Sequence, residues 1–147
     1  MTAHISCTAT REGLTHAQAF TVRRLLGKIL VKDRVLHHGD CIGGDAHICM
    51  IARGEGYALH SHPPSNSKLR AFVESDFVDP PKPYAERNLD IAEASFILIA
   101  CPKEREPQTR GGTWMTVRMA RELDHYVKVV WPDGSTTTYD PIAGDGK

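Results

Sequence analysis

A glycine-rich turn at residues 108–116, with the sequence QTRGGTWMT, contains the residues of this chain best placed to bind an anion. It follows the apolar run at 96–100 and precedes a segment with helical character at 115–123. A buried strand, a glycine turn and a helix N-terminus in this order bring unpaired backbone N–H groups and the positive end of a helix dipole to one point. The pattern therefore predicts an anion site at this turn.

A second glycine-rich turn, residues 39–44 with the sequence GDCIGG, lies between a strand-like segment at 35–38 and a helix that begins near Asp45. One interpretation is that its glycines only make a tight turn and let the helix pack closely against the sheet. The other is that both turns lie at the carboxyl edge of one sheet and hold a phosphate-bearing ligand between them. Because the two turns occur together in one small domain, we favour the phosphate-bearing ligand.

The composition is that of a small globular protein with balanced charge. The 147 residues fit one domain, which we expect to span 1–140, followed by a frayed tail at 141–147. Eighteen basic residues balance eighteen acidic ones, which argues against a dedicated nucleic-acid binder. No apolar run approaches the roughly 18 residues of a membrane span, and no signal-peptide pattern is visible. We therefore expect a cytoplasmic protein with no membrane or nucleic-acid partner.

The cysteines and histidines do not form a recognisable metal motif. The four cysteines lack C-x-x-C spacing, so we expect reduced, mostly buried thiols. His37 and His38 are neighbours on a strand and face opposite sides, whereas His60 and His62 could share a face. Without an H-x-x-x-H pair or a cysteine partner, the sequence predicts no metal site and no cofactor. His62 could line the ligand cleft, but a structural imidazole is the simpler interpretation.

Strand-like and helix-like segments alternate along the chain. We predict five main strands, and an additional edge strand at 136–139; the main strands are 4–7, 35–38, 57–62, 96–100 and 126–131. Helices are predicted at 17–31, 45–53, 84–94 and 115–123, with a short one at 69–73. This alternation is typical of an α/β fold with a doubly wound, mostly parallel five-stranded sheet and helices on both faces. Ligands of such sheets bind at the carboxyl ends of the strands, at a topological switch point.

Two segments resemble known nucleotide-binding families. The stretch HGDCIGGDAH at 38–47 is similar to the glycine-rich segment of the DNA-processing protein A family. Arg87-Asn88, the strand at 96–100 and Gly111-Gly112-Thr113 resemble the cytokinin-activating phosphoribohydrolases, the Lonely Guy or possible lysine decarboxylase family. Both families belong to the SLOG superfamily, whose small single-domain bacterial and phage members this chain resembles over about residues 5–131. The resemblance implies a Rossmann-like fold, a nucleotide-like small-molecule ligand and a homo-oligomer.

The resemblance also bears on catalysis. In the phosphoribohydrolases an arginine and a glutamate carry out N-glycosidic cleavage. Arg87 is the counterpart of that arginine, but Thr116 stands in the place of the glutamate. A threonine hydroxyl supplies neither the charge of a carboxylate nor a general base near neutral pH. We therefore expect a binding module rather than an enzyme; in a hydrolase, Asp40, Asp45 or Glu86 would have to supply the carboxylate.

The candidate ligand-binding residues lie mainly in the loops after the first, second and fourth predicted strands. Arg11, Arg87 and Arg110 are candidate phosphate contacts, and Asp40 is a candidate for contact with ribose hydroxyls. The full set is Thr8, Arg11, Gly39, Asp40, Gly43, Gly44, Asp45, Arg87, Asn88, Arg110, Gly111, Gly112, Thr113 and Trp114.

Three of these residues have simpler interpretations that stay open at the level of sequence. Asp45 and Thr113 could serve only to stabilise the N-termini of their helices. Trp114 could stack on a base, or it could fill the core.

The sequence favours a protein that binds a nucleotide or nucleotide-derived ligand, such as an ADP-ribose-like molecule. The reason is the pair of anion turns without a complete catalytic carboxylate motif. A first alternative is an N-glycosidase that releases a free base from a nucleoside 5′-monophosphate. A second is a DNA-handling protein related to DNA-processing protein A.

Overall fold

A computed structural model describes residues 1–141, and the part of the predicted tail at 142–147 lies outside the described residues. The strands form one seven-stranded sheet in the order β4-β3-β2-β1-β5-β6-β7. Their bounds are β1 Thr2–Ala9, β2 Asp33–His38, β3 Ala58–Ser61, β4 Phe77–Val78, β5 Ile97–Cys101, β6 Tyr126–Val130 and β7 Thr136–Tyr139. Every neighbouring pair is parallel except β6 and β7, which are antiparallel.

The prediction of a mostly parallel α/β sheet is confirmed, but the prediction of five strands is wrong, because the sheet has seven. All five predicted main strands lie in it. The candidate edge strand at 136–139 is β7, which returns beside β6 after the turn that contains Gly134. The other addition, β4, is only two residues long, and both Phe77 and Val78 are exposed. A strand this short has no alternation of buried and exposed residues from which it could be predicted.

The helices are α1 His16–Gly27, α2 Gly44–Gly54, α3 Tyr84–Glu93 and α4 Gly112–Glu122. Helix α1 begins with a capping box, in which the Thr15 hydroxyl accepts from the Gln18 N–H and the Gln18 amide oxygen accepts from the Thr15 N–H, both at 3.0 Å. The helix predicted at 69–73 is instead a short 3-10 turn, Ser67–Leu69. Within residues 1–141 no helix is long and apolar enough to cross a membrane.

The core consists of two apolar layers, one on each face of the sheet. Side chains of α1 and α2, including Leu26 and Ile48, pack on one face against Ile5, Leu36 and Leu59. Side chains of α3 and α4, including Ile91, Trp114 and Val117, pack on the other face against β5 and β6. Strand β5 supplies Ile99 to the first layer and Leu98 to the second, as expected for a central strand covered on both faces. All four cysteines are free and buried.

Candidate functional site

A cleft of about 460 Å³ opens at the carboxyl ends of β1 and β5. The chain runs from β1 outward to β2, β3 and β4 on one side and then returns to β5 on the other side of β1, so the cleft lies at the topological switch point of the sheet. Seventeen residues line it: Thr8, Ala9, Thr10, Arg11, Glu12, Cys41, Asp45, Tyr84, Arg87, Asn88, Ile91, Lys103, Glu104, Gly111, Gly112, Thr113 and Trp114.

The N-terminus of α4 opens into this cleft. Gly111 precedes the helix at φ +102°, and within the described chain no side chain caps this end. The first intrahelical hydrogen bond runs from the Met115 N–H to the Gly111 carbonyl at 3.0 Å. Helix geometry therefore leaves the N–H groups of Gly112, Thr113 and Trp114 as unpaired donors, at the positive end of the helix dipole.

Gly112 leaves room for the side chain of Tyr84. A Cβ built on Gly112 would collide with the Tyr84 hydroxyl, which packs directly against the start of α4. Tyr84 is the first residue of α3, so the contact ties the two helices together at the rim of the cleft. The tight turn thus also allows this aromatic ring to reach the site.

Arg87 is buried at the base of the cleft, with 3% of its surface exposed. Its Nη1 donates to the Gly39 carbonyl at 2.6 Å, and its Nε donates to Asn88 Oδ1 at 2.7 Å. Its Nη2 lies 3.6 Å from Cys41 Sγ, a weak acceptor. Arg87 therefore holds the β2–α2 turn through Nη1, and Nη2 is the part of the guanidinium best placed to meet an anion in the cleft.

Asp45 occupies the centre of the β2–α2 turn with its carboxylate. The carboxylate accepts from the backbone N–H of Gly39 at 3.1 Å and from the backbone N–H groups of Cys41 and Ala9. Burial raises the pKa of Asp45 to about 6, although the nearby Arg87 guanidinium and these backbone donors favour the charged form. Two backbone donors of this turn, the N–H groups of Gly39 and Cys41, are therefore directed at the protein's own carboxyl group.

The glycines of the β2–α2 turn serve close packing. A Cβ on Gly43, which has φ +95°, would collide with the Arg11 carbonyl, and a Cβ on Gly44 would collide with Ala9. The Gly44 N–H donates to the Thr10 carbonyl at 2.8 Å. Among the described residues, Gly39, Gly43 and Gly44 are not part of the cleft lining. The glycines of this turn therefore serve a tight turn and close helix packing, which is the simpler of the two interpretations of the sequence.

Asp40 lies outside the cleft and holds a loop in place. It is fully buried, its Oδ2 accepts from Arg70 Nε at 2.7 Å, and its Oδ1 accepts from the Val73 N–H at 2.8 Å. These contacts hold the segment 70–73, which is irregular rather than helical and contains Phe72 at φ +55°. The expected contact of Asp40 with ribose hydroxyls does not fit this position.

Four other residues considered in the sequence analysis are also absent from the cleft lining, as the described residues define it. Arg110 and Glu86 are exposed. Thr116 is buried and donates its hydroxyl hydrogen back to the Gly112 carbonyl at 3.0 Å, so it presents no functional group to a ligand. His62 belongs to a cluster on β2 and β3. The predicted residues that the structure does bring together are Thr8, Arg11, Asp45, Arg87, Asn88, Gly111, Gly112, Thr113 and Trp114.

Several cleft residues were missed in the sequence. Lys103 and Glu104 follow β5, and Glu12 follows β1, so their positions after parallel strands were the available signal. Glu104 Oε1 accepts from the Trp114 indole N–H at 3.0 Å, and Lys103 Nζ lies 3.1 Å from Glu12 Oε2. Trp114 is 97% buried and packs in the α4 layer of the core, with only its edge at the cleft.

Comparisons with known proteins show the fold. No family model and no curated protein sequence matches this chain. The molybdenum cofactor binding protein from the phototrophic bacterium Rippkaea orientalis is similar in structure, with a TM-score of 0.68 and 20% identity over 89% of this chain and 77% of that one. DNA processing protein A from Helicobacter pylori, whose structure describes a single-stranded DNA binding mode, has a TM-score of 0.59 and 16% identity over 86% of this chain and 64% of that one. At these identities the likeness establishes a Rossmann-like α/β fold.

Proposed function

We propose that this protein is a SLOG-type binding module for a nucleotide or nucleotide-derived ligand, and that the phosphate of the ligand binds at the N-terminus of α4. The observation that carries the proposal is the open N-terminus of α4, whose first three residues line a cleft that also contains Arg11, Arg87 and Lys103. Backbone donors, a helix dipole and cationic side chains at one point favour an anion with several oxygen atoms.

The rest of the cleft suits the sugar of such a ligand. Glu12 and Glu104 line it together, and a carboxylate accepts hydrogen bonds from ribose hydroxyls as it does in dinucleotide-binding folds. They replace Asp40, which lies outside the cleft lining of the described residues. The volume of about 460 Å³ lies within the range of small-molecule sites, about 300–1,000 Å³.

The names of the fold neighbours leave both a small-molecule ligand and a nucleic acid as candidates. One is named for binding a cofactor and the other for binding single-stranded DNA. A DNA-handling function is the weaker candidate, because the net charge of this chain is zero. Single-stranded DNA therefore belongs in any ligand panel, where true binding would weaken steeply as salt is added.

Isothermal titration with adenosine, AMP, ADP and ADP-ribose tests the proposal. We expect the phosphate-bearing ligands to bind and adenosine to bind at least about tenfold more weakly, because the site is built around an anion. Equal affinity for adenosine and ADP-ribose would show that the phosphate does not direct binding.

A matched pair of arginines locates the site. Arg11 lines the cleft. Arg110 is exposed just before the start of α4, and the cleft lining formed by the described residues does not include it. Arg11→Gln should weaken binding about tenfold, the scale of one charge-assisted hydrogen bond, and Arg110→Gln should leave it unchanged. The reverse result would move the ligand to the outer surface of the β5–α4 turn.

A second candidate, an N-glycosidase, is favoured by one observation. Asp45 lines the cleft near Arg87, and its pKa of about 6 suits a general acid near neutral pH. Against it, the carboxylate already accepts from three backbone N–H groups. Chromatography of AMP, CMP, GMP and IMP after incubation with the protein should show no free base. Base release that disappears in Asp45→Asn would favour the glycosidase.

A further inference from the structure

A cluster of histidines lies on the sheet face opposite α1 and α2, at β1, β2 and β3. His37 and His60 are paired across β2 and β3, and their ring centroids are 4.7 Å apart. His62 follows His60 by two residues and stacks on it at 4.6 Å with nearly parallel rings. On the other side, His4 of β1 reaches His37 diagonally across the strand pair, and its Nδ1 lies 2.9 Å from His37 Nε2. Where the α1–α2 face of these strands carries Leu36 and Leu59, this face carries imidazoles.

Asp79 joins the cluster from the segment after β4. Its Oδ1 lies 2.8 Å from His60 Nε2, and its Oδ2 lies 3.0 Å from His62 Nδ1. The second contact is off the line of a hydrogen bond, so His62 Nδ1 is a buried nitrogen without a hydrogen-bond partner among the described residues. On its other side, His62 Nε2 lies 2.9 Å from His37 Nδ1.

We propose that His37, His60 and His62 bind a divalent transition metal ion, with Zn²⁺ the best match. One nitrogen from each of the three imidazoles lies within 4.8 Å of the other two. A tetrahedral ion at about 2.0–2.1 Å from each nitrogen places its ligand atoms roughly 3.4 Å apart. That spacing lies between the 2.9 Å contact of His37 with His62 and the 4.8 Å limit, so rotations of the rings are enough to form the site.

The charge of the cluster suits a cation. Asp79 supplies a negative charge within contact of two of the three rings, as carboxylates beside metal-binding histidines commonly do.

The site is accessible and separate from the ligand cleft. His60 and Asp79 keep 25% and 37% of their side chains exposed, which gives an ion a path from solvent. Within the described chain none of the three histidines lines the cleft at β1 and β5. Metal binding and nucleotide binding can therefore be tested independently.

Metal titration of the full chain, purified without a histidine tag and stripped with a chelator, tests the proposal. We expect one Zn²⁺ per chain in competition with a chromophoric chelator. His60→Gln should weaken binding by more than about 100-fold, and Asp79→Asn by roughly 10–100-fold, as outer-shell partners do. We choose His60 for substitution because its side chain is partly exposed, so the His60→Gln variant should still fold. The matched control is His16→Gln, which changes an exposed histidine of α1.

Cobalt absorption provides a second measurement that does not depend on affinity. Co²⁺ bound by imidazoles should give ligand-field bands of a tetrahedral site without thiolate charge transfer, and His60→Gln should remove them. The proposal is overturned if the chain binds no Zn²⁺, if His60→Gln binds it as tightly as His16→Gln, or if the Co²⁺ spectrum shows cysteine ligation.

Discussion

The β2–α2 turn and the β5–α4 turn have similar local sequences, but their backbone N–H groups have different partners. In each, a glycine with positive φ precedes a helix whose first residue is also glycine, Gly43-Gly44 in one and Gly111-Gly112 in the other. The next residue is Asp45 in α2 and Thr113 in α4. The carboxylate of Asp45 accepts from the N–H groups of Gly39 and Cys41 in the first turn, whereas the first N–H groups of α4 open into the cleft.

The comparison supports the proposed phosphate site at α4, because the protein's own carboxylate occupies part of the β2–α2 turn, whereas among the described residues no side chain caps the N-terminus of α4. Asp45, the second residue of α2, accepts from the backbone N–H groups of Gly39, Cys41 and Ala9, and an acidic residue in the first turn also stabilises a helix N-terminus. At the same position of α4, Thr113 makes no capping hydrogen bond among the described residues. The β2–α2 turn, called the closed turn below, holds Arg87 through the Gly39 carbonyl, and the β5–α4 turn, called the open turn, is the proposed source of the donors to a phosphate.

The largest expected difference between the two turns is the loss of stability when the glycine before each helix is replaced by alanine. Gly43→Ala should cost about 3–5 kcal/mol of unfolding free energy, because backbone strain adds to a collision with the Arg11 carbonyl. Gly111→Ala should cost only about 1–2 kcal/mol, because among the described residues nothing lies within 4 Å of the added Cβ. Urea unfolding of both variants measures this. Equal losses would mean that the two turns are packed alike.

The buried carboxyl of the closed turn should make stability depend on pH. The folded-state pKa of about 6 lies above the unfolded value, so the folded state binds the proton more tightly. The resulting stabilisation is complete below about pH 4 and is lost as the pH rises through 6, a change of roughly 3 kcal/mol. The difference in unfolding free energy between the natural chain and Asp45→Asn should therefore vary over this window. A difference independent of pH would contradict the buried, weakly acidic Asp45.

Placing an acidic residue in the open turn, as in the closed one, should weaken its binding. Thr113→Asp places a carboxylate at the position equivalent to Asp45, where its negative charge would repel a phosphate at the N-terminus of α4. We expect ADP-ribose affinity to fall at least about tenfold, or about 1.4 kcal/mol, with the fold unchanged. Thr113→Ser is the control. Unchanged binding by Thr113→Asp would place the phosphate elsewhere in the cleft.

Much of the fold could be predicted because its central strands are long and distinctive. The apolar run that forms β5 and the alternation of strands with helices fixed the parallel sheet and the edge where the cleft lies. The edge strand β4 could not be predicted, since it is held by pairing with β3 rather than by its own pattern.

The side chains that line the site were harder to predict, because their positions depend on the tertiary path of the loops. Arg11 and Arg110 are both exposed loop arginines in the sequence, and only the tertiary path directs Arg11 toward the cleft. Asp40 has the charge of a ribose ligand, but Arg70, thirty residues further along the chain, engages it. Likewise, His37 and His60 are adjacent only because β2 and β3 pair in that register.

Backbone amide shifts on titration with AMP test the central claim most directly, because both turns are observed in one NMR experiment. We predict that the amide signals of Gly112, Thr113 and Trp114 shift strongly and saturate together. The amides of Gly39 and Gly44, which donate to Asp45 and Thr10, should shift little. Strong shifts confined to Gly39 and Gly44, or no shifts in either turn, would contradict a phosphate site at the N-terminus of α4.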